Sequence, residues 1–284
     1  MRLFTMFLLA TLAGSSLGAA SYQMTDGTIV DPIQSVSGED LPYSGTNLEP
    51  GASLNGASLN GAFLESASLN NASLTGADLE DANLSNADLP GANLNSANLA
   101  SANLYYAGLS DADLTNANLA GTNLVNANLL RAHLNDAHLH NANLGGATLK
   151  DAHLDSANLT GANLTGAFLL EASLPNVTLT GANLSYATLD LGNLTGVNLV
   201  NANLTSTALS GADLTGAKFS NSTILWHEKT VEGYGFDVAG LQNYLTERKQ
   251  ASSVFGVIII PEPSTVILFA LLGLASLPLR MRHR

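Results

Sequence analysis

From Leu54 to Ile224 every fifth residue of the chain is a large apolar one: thirty-five consecutive positions, all Leu except Phe219 and Ile224. Two residues ahead of each, starting at Ala52, twenty-nine of the thirty-five are Ala; the exceptions are Thr122, Val177, Gly192, Val197, Thr207 and Ser222. The residues between and after them are mostly Asn, Asp, Ser, Thr and Gly. A period of five does not suit an α-helix, where successive Leu residues drift by about 140° and no apolar stripe forms. It does suit a three-residue extended step, Ala-x-Leu, whose first and third side chains share one face by strand alternation. Two turn-forming residues then redirect the chain. The pattern predicts a solenoid with a buried Leu and Ala core, whose coils depend on their neighbours for stability.

Written as A(D/N)LXX, the repeat resembles that of the pentapeptide-repeat family, and the resemblance covers residues 52–224. It implies an all-β fold, a right-handed quadrilateral parallel β-helix with four repeats per coil; the spacing alone would not set the number of sides. Thirty-five repeats then make almost nine coils, a rod roughly 40 Å long at the ~4.8 Å spacing of paired strands. Residues 21–51, with Gly27, Pro32, Pro42, Gly45 and Pro50, read as an irregular N-terminal cap. Leu48 lies six residues before Leu54, so the register starts after it. Residues 225–250 read as a C-terminal cap, in which Trp226, Tyr234 and Phe236 cover the last coil and Phe236 to Lys249 form a short helix; 251–260 reads as a linker.

With twenty residues per coil, the outward residue before each Leu falls into four columns. One is uniform: Asn83, Asn103, Asn123, Asn143, Asn163, Asn183 and Asn203, expected to form a structural ladder of amides along the rod axis. The alternative for this face is polysaccharide binding. His133 and His153 stack one coil apart, close enough to share a metal ion, with Asp113 below them and His138 and His140 on the next sides. No third ligand stands at their level, so no metal site is assigned. Tyr105, Tyr106, Phe63 and Phe168 have the chemistry to stack on sugars but are not expected to form one patch.

Composition narrows the function classes. There is no cysteine, which removes disulfides, thiolate nucleophiles and Cys-based metal sites. The net charge of −13 opposes nucleic-acid binding, which needs clustered Lys and Arg. No nucleophile, base and acid motif and no phosphate loop is present, so neither an enzyme nor a cofactor is expected.

The two ends read as addresses. Met1-Arg2, the apolar run from Leu3 to about Leu12 and the small residues through Ala20 form a secretory signal peptide, 1–20. At the other end stand Pro261, Glu262, Pro263 and Ser264, an apolar stretch 265–279 that suits a transmembrane helix, and a basic tip of Arg280, Arg282, His283 and Arg284. This arrangement, 261–284, resembles the PEP-CTERM sorting signal of Gram-negative bacteria. The resemblance implies signal peptidase and an exosortase as processing partners, an inner-membrane-anchored precursor, and delivery to the cell surface or matrix. Exopolysaccharide and other surface proteins are the candidate partners there. Without its two signals, residues 21–260 would carry a charge near −16.

Three functions compete. The first is an exported structural or interaction rod. The second comes from cytosolic pentapeptide-repeat proteins that mimic the acidic B-DNA surface and bind DNA gyrase; residues 52–224 have the right sign, 13 acids against Arg131, Lys150 and Lys218, but an exported chain never meets gyrase. Ice or mineral binding would favour an unbroken Thr column, and none exists.

Overall fold

The computed structural model describes residues 21–24, 29–30, 33, 36–38, 47–220 and 258–260. From Ser53 to Lys218 the residue before each core Leu pairs in parallel with the residue twenty positions on, Ser53 with Ser73, Ser58 with Asp78 and so on to Asn198 with Lys218. Twenty residues are four pentapeptides, so each coil has four sides and the rod is a quadrilateral parallel β-helix. Inside, the Ala and Leu positions are almost completely withdrawn from water; Ala142, Leu144, Ala162 and Leu164 are all 0% exposed.

The backbone hydrogen bonds explain why five residues suffice per side. Taking Leu144 as the reference, its N–H donates to Asn163 O (2.7 Å), Gly146 N–H to Thr165 O (2.9 Å) and Asn143 N–H to Thr122 O (2.9 Å), all between coils. Ala147 N–H closes the turn on Leu144 O (3.0 Å). Four of the five backbone donors therefore have backbone acceptors. The fifth, on the residue after the Leu, goes to a side chain in most repeats with Asn or Asp before that Leu: Gly145 N–H donates to Asn143 Oδ1 (3.2 Å), Thr115 N–H to Asp113 Oδ1 (3.0 Å) and Thr160 N–H to Asn158 Oδ1 (3.1 Å). This local Asx bond is the physical reason for Asn and Asp before Leu. Where that position holds a different residue, the coil below can supply the acceptor. Thr75, Asp155 and Ser210 donate to Asn55, Asn135 and Asp190.

The two buried threonines in Ala positions obey the same accounting. Thr122 Oγ1 donates to Leu99 O at 2.8 Å and Thr207 Oγ1 to Leu184 O at 2.7 Å. A buried hydroxyl so bonded carries no unpaired-donor penalty.

At each corner the second turn residue has positive φ, from Gly51 through Gly216. Most of these positions hold Gly, Asn, Asp or Ser, the residues that tolerate left-handed backbone. Tyr106, Arg131, Glu171, Tyr186 and Leu191 do not belong to that set. Leu191, at φ 59 and 59% exposed, combines strain with apolar exposure. Leu191→Asn is therefore expected to stabilise the rod by about 0.5–1 kcal/mol, read as a raised midpoint in a urea melt.

The ends add what the repeat lacks. Strands β1 (Tyr22–Gln23) and β2 (Ile29–Val30) form an antiparallel pair, and Met24 bridges Ala67 in the first coil. Leu48 N–H donates to Ser21 O (2.8 Å) and Val36 N–H to Gly61 O (2.7 Å), while Ile33 and Leu48 join the core. The backbone register begins before Leu54: Ala52 N–H closes a repeat-type turn on Glu49 O (3.0 Å), and Gly51 N–H reaches Asn70 O (2.8 Å). Leu48 thus holds the slot that faces outward in the repeats, yet is 0% exposed. At the other end β3 (Lys218–Ser220) pairs in parallel with β4 (Ile258–Ile260), Lys218 opposite Ile258. The end of the expected linker is thus a strand on the last coil. The signal peptide, the 225–250 cap with its short helix and the 265–279 helix lie outside the described residues. Among the described residues no helix is long and apolar enough to cross a membrane.

Candidate functional site

With catalysis unsupported by the sequence, the candidate sites are the rod's outward columns. The asparagine column is stacked by the parallel bridges Asn83–Asn103, Asn103–Asn123, Asn123–Asn143 and onward to Asn203. Its amides are tied in runs: Asn103 Nδ2 donates to Asn83 Oδ1 (3.1 Å), Asn123 to Asn103 (2.9 Å), Asn163 to Asn143 (2.9 Å) and Asn203 to Asn183 (3.0 Å). Asn183 Nδ2 turns instead to Thr165 Oγ1 at 2.8 Å. Each Oδ1 that accepts from the coil above is also the Asx acceptor of its own turn, as at Asn83, which receives Ser85 N–H at 3.1 Å. These amides are committed to the rod itself, which leaves them less to offer a ligand.

A second amide run escaped the sequence reading. On the adjacent face Asn98 Nδ2 donates to Asp78 Oδ1 (3.0 Å) and Glu80 Oε2 (3.1 Å), and Asn118 Nδ2 to Asn98 Oδ1 (2.9 Å). The same twenty-residue spacing would have found it; the mixed Asp and Asn composition concealed it.

The histidines are brought together as a pair. The rings of His133 and His153 stack with centroids 5.0 Å apart and planes 5° from parallel, and Asp113 pairs below His133. His138 stands over Asn118 on the next face, and His140 is exposed at a corner. Among the described residues no group of three or more His, Asp or Glu is placed to hold a metal ion. At the corner beside the pair, Arg131 grips Asp111 one coil below through Nε–Oδ1 (2.7 Å) and Nη2–Oδ2 (2.8 Å). The hydrogen bond from Arg131 holds the Asp111 carboxyl below its ordinary value. A depressed carboxylate stabilises the fold above its unfolded pKa and loses that contribution as pH falls through its folded one. On this exposed corner solvent screening keeps the effect small.

Of the aromatic residues, Tyr105 and Tyr106 pack edge to face at 4.4 Å, and desolvation followed by the hydrogen bond with Tyr106 raises the Tyr105 phenol. Phe63 stands alone at the base of the asparagine column. Phe168 does not: Tyr186 and Leu191, which the sequence reading passed over, lie one coil above it, Tyr186 directly over Gly166. They sit at turn positions, where a reading confined to the column before Leu does not look.

The model for pentapeptide repeats matches residues 51–86, 77–116, 112–151, 157–196 and 182–221. Among curated proteins none matches the chain. Solved structures similar to it include HetL, a pentapeptide repeat protein involved in heterocyst differentiation regulation from the cyanobacterium Nostoc sp. strain PCC 7120. It is 33% identical over 60% of this chain and 90% of its own, with a TM-score of 0.24. A pentapeptide repeat protein from the Arabidopsis thaliana thylakoid lumen is 27% identical over 46% of this chain and 74% of its own, TM-score 0.24. Full-length QnrB1, a plasmid-mediated fluoroquinolone resistance protein, is 17% identical over 71% of this chain and 98% of its own, TM-score 0.37. The family model covers more than half of the chain, and its matches fall on the same five-residue register that builds the four-sided rod: the chain belongs to the pentapeptide-repeat family.

Proposed function

We propose that this protein is an exported interaction rod, delivered by an N-terminal secretory signal and sorted by an exosortase to the surface or matrix of a Gram-negative bacterium. Pentapeptide-repeat proteins are generally structural or interaction proteins rather than enzymes. The observation that carries the finer reading is the tail. Pro261, Glu262, Pro263 and Ser264 precede the apolar stretch 265–279 and a tip of Arg280, Arg282, His283 and Arg284, in one chain with an N-terminal apolar run after Arg2. A positive tip stays on the cytoplasmic side and holds the apolar stretch in the membrane until processing. In this reading signal peptidase and an exosortase are processing partners, and the rod itself contacts exopolysaccharide or other surface proteins.

The test is fractionation of the host with intact-mass analysis of both termini. The expected product begins near Ser21, ends near Pro261 and is found outside the inner membrane. A full-length soluble cytosolic chain would overturn both end assignments. One observation favours the second reading, an acidic DNA mimic bound to gyrase: residues 52–224 hold 13 acids against Arg131, Lys150 and Lys218. Inhibition of gyrase supercoiling by the purified chain, together with a cytosolic location, is the result that reading requires.

A further inference from the structure

We propose that the corner of the rod running from Tyr106 to Tyr186, with Phe168 beside it, is a shallow groove that binds a neutral polysaccharide chain along the rod axis. The inference rests on the interaction-rod reading and gives it a ligand class and a place. Five of the large apolar side chains exposed among the described residues, Tyr105, Tyr106, Phe168, Tyr186 and Leu191, fall on the face of Phe168 and its two corners. Three of them, Tyr106, Tyr186 and Leu191, also break the local rule of the fold. Tyr106 (φ 56) and Tyr186 (φ 62) occupy the left-handed corner position, and they are 53% and 62% exposed. Folding has no use for a ring that is strained at its backbone and bare to water. At these two exposed rings the strain accords with a binding role.

Three of the six corner residues between the two rings, Gly145, Gly146 and Gly166, are glycines. Tyr106, Asn126, Gly146, Gly166 and Tyr186 follow one another in successive coils, joined by Tyr106 N–H to Val125 O (3.1 Å), Asn126 N–H to Gly145 O (3.0 Å), Gly146 N–H to Thr165 O (2.9 Å) and Gly166 N–H to Ser185 O (2.9 Å). Four coil steps separate the tyrosines by ~19 Å, the span of a short oligosaccharide and not of a single sugar. Gly145, Gly146 and Gly166 add no side chains of their own; the Asn126 amide lies over Gly146, whereas a Cβ at Gly166 would meet no atom within 4 Å. Phe168, 55% exposed, stands two residues from Gly166 between Thr148 and Thr188 of the coils below and above. Tyr106 is braced edge to face by Tyr105, so part of the ordering cost of binding is met in advance.

The chemistry selects the occupant. A pyranose has an apolar C–H face and a rim of hydroxyls. The groove offers flat rings, phenol hydroxyls and the Asn126 amide; Asn143 and Thr165, at its side, are bonded within the rod. The two residue columns of this corner contain no Lys or Arg, and their sole charge is Glu65, near the N-terminal end. The face of Phe168 adds only Asp88. The far corner of that face, which carries Leu191, holds Arg131 and Lys150 beside Asp111, Asp151, Glu171 and Asp190, so the cations lie outside the Tyr106–Tyr186 corner itself. The rings are separated by Gly, Asn and Thr, unlike the contiguous apolar patch of a protein interface.

The purified chain would be run in native gels containing hydroxyethylcellulose, a soluble galactomannan or dextran, with alginate as the acidic counterpart. Retardation by at least one neutral polymer and none by alginate is expected. Tyr186→Asn and Phe168→Ser should each weaken retardation about tenfold, the loss of one stacking contact. The first replaces a strained ring by a residue suited to the corner, so its melting temperature should stay level or rise, which separates lost binding from lost folding. Absence of retardation by any neutral polymer, or variants that bind as the parent does, would overturn the proposal. So would light scattering in which Tyr186→Asn turns a dimer into a monomer, because the edge would then be a self-interface. Binding by the purified protein is independent of its location in the host: a cytosolic chain that binds glycan sinks the export reading alone, and an exported chain that does not sinks this one alone.

Discussion

Leu144→Ala is expected to destabilise the rod by about 3–5 kcal/mol, at the upper end of what buried leucines cost. The side chain is 0% exposed, and its stacking neighbours one coil away, Leu124 and Leu164, are equally buried. The walls cannot collapse into the cavity, because Leu124 N–H to Asn143 O and Leu144 N–H to Asn163 O, both 2.7 Å, fix the coil spacing on either side. A rod is stabilised by nearest-neighbour interfaces, so damage in the middle weakens the coupling between its halves. Urea melts followed by circular dichroism should show a lower midpoint and a broadened or two-step transition. Leu54→Ala, in the first repeat, should cost distinctly less and leave one transition. Equal effects at the two positions would count against a coil-by-coil core.

The second large effect separates two prolines. Asn143→Pro removes the inter-coil bond to Thr122 O (2.9 Å), the Asx acceptor of Gly145 and an amide of the ladder. We expect a loss comparable with that of a proline in a helix interior, about 3 kcal/mol or more. Thr160→Pro should cost within about 1 kcal/mol, since it forfeits only the side-chain-capped donor and the hydroxyl bond to Asn158. Pro50, Pro90 and Pro175 already occupy the equivalent turn slot, the one whose N–H has no backbone acceptor in the repeat. Their preceding residues are held in extended steps, as proline requires of its neighbour. Chemical denaturation of the two variants side by side checks the contrast. Similar losses would mean that the fifth donor matters as much as the ladder.

The same bookkeeping of donors shows where sequence reasoning was blind. The preference for Asn and Asp before Leu is visible as a pattern, but its cause, a backbone N–H that the coil cannot satisfy, exists only once the coil is closed. Gly192 stands where the repeats carry Ala; an added Cβ would lie 3.1 Å from Leu189 O and 3.2 Å from Leu194 Cδ1, a crowding no repeat alignment displays. Leu48 looked like a residue before the register, and it is core because Ser21 and its neighbours close over it.

What the amino-acid order determined by itself is the repeat, the identity of the core and the stacking of His133 on His153 and of Asn83 through Asn203. A strict five-residue period with alternating burial leaves the chain no other way to hide Leu and Ala, and twenty-residue columns follow once four sides are accepted. Tertiary structure alone decided which amides bond to each other, which corners are strained, and how far Tyr106, Phe168 and Tyr186 stand exposed on theirs. Those features arise from atoms a whole coil or more apart, where hydrogen-bond geometry and backbone handedness, and not hydrophobic periodicity, set the energy.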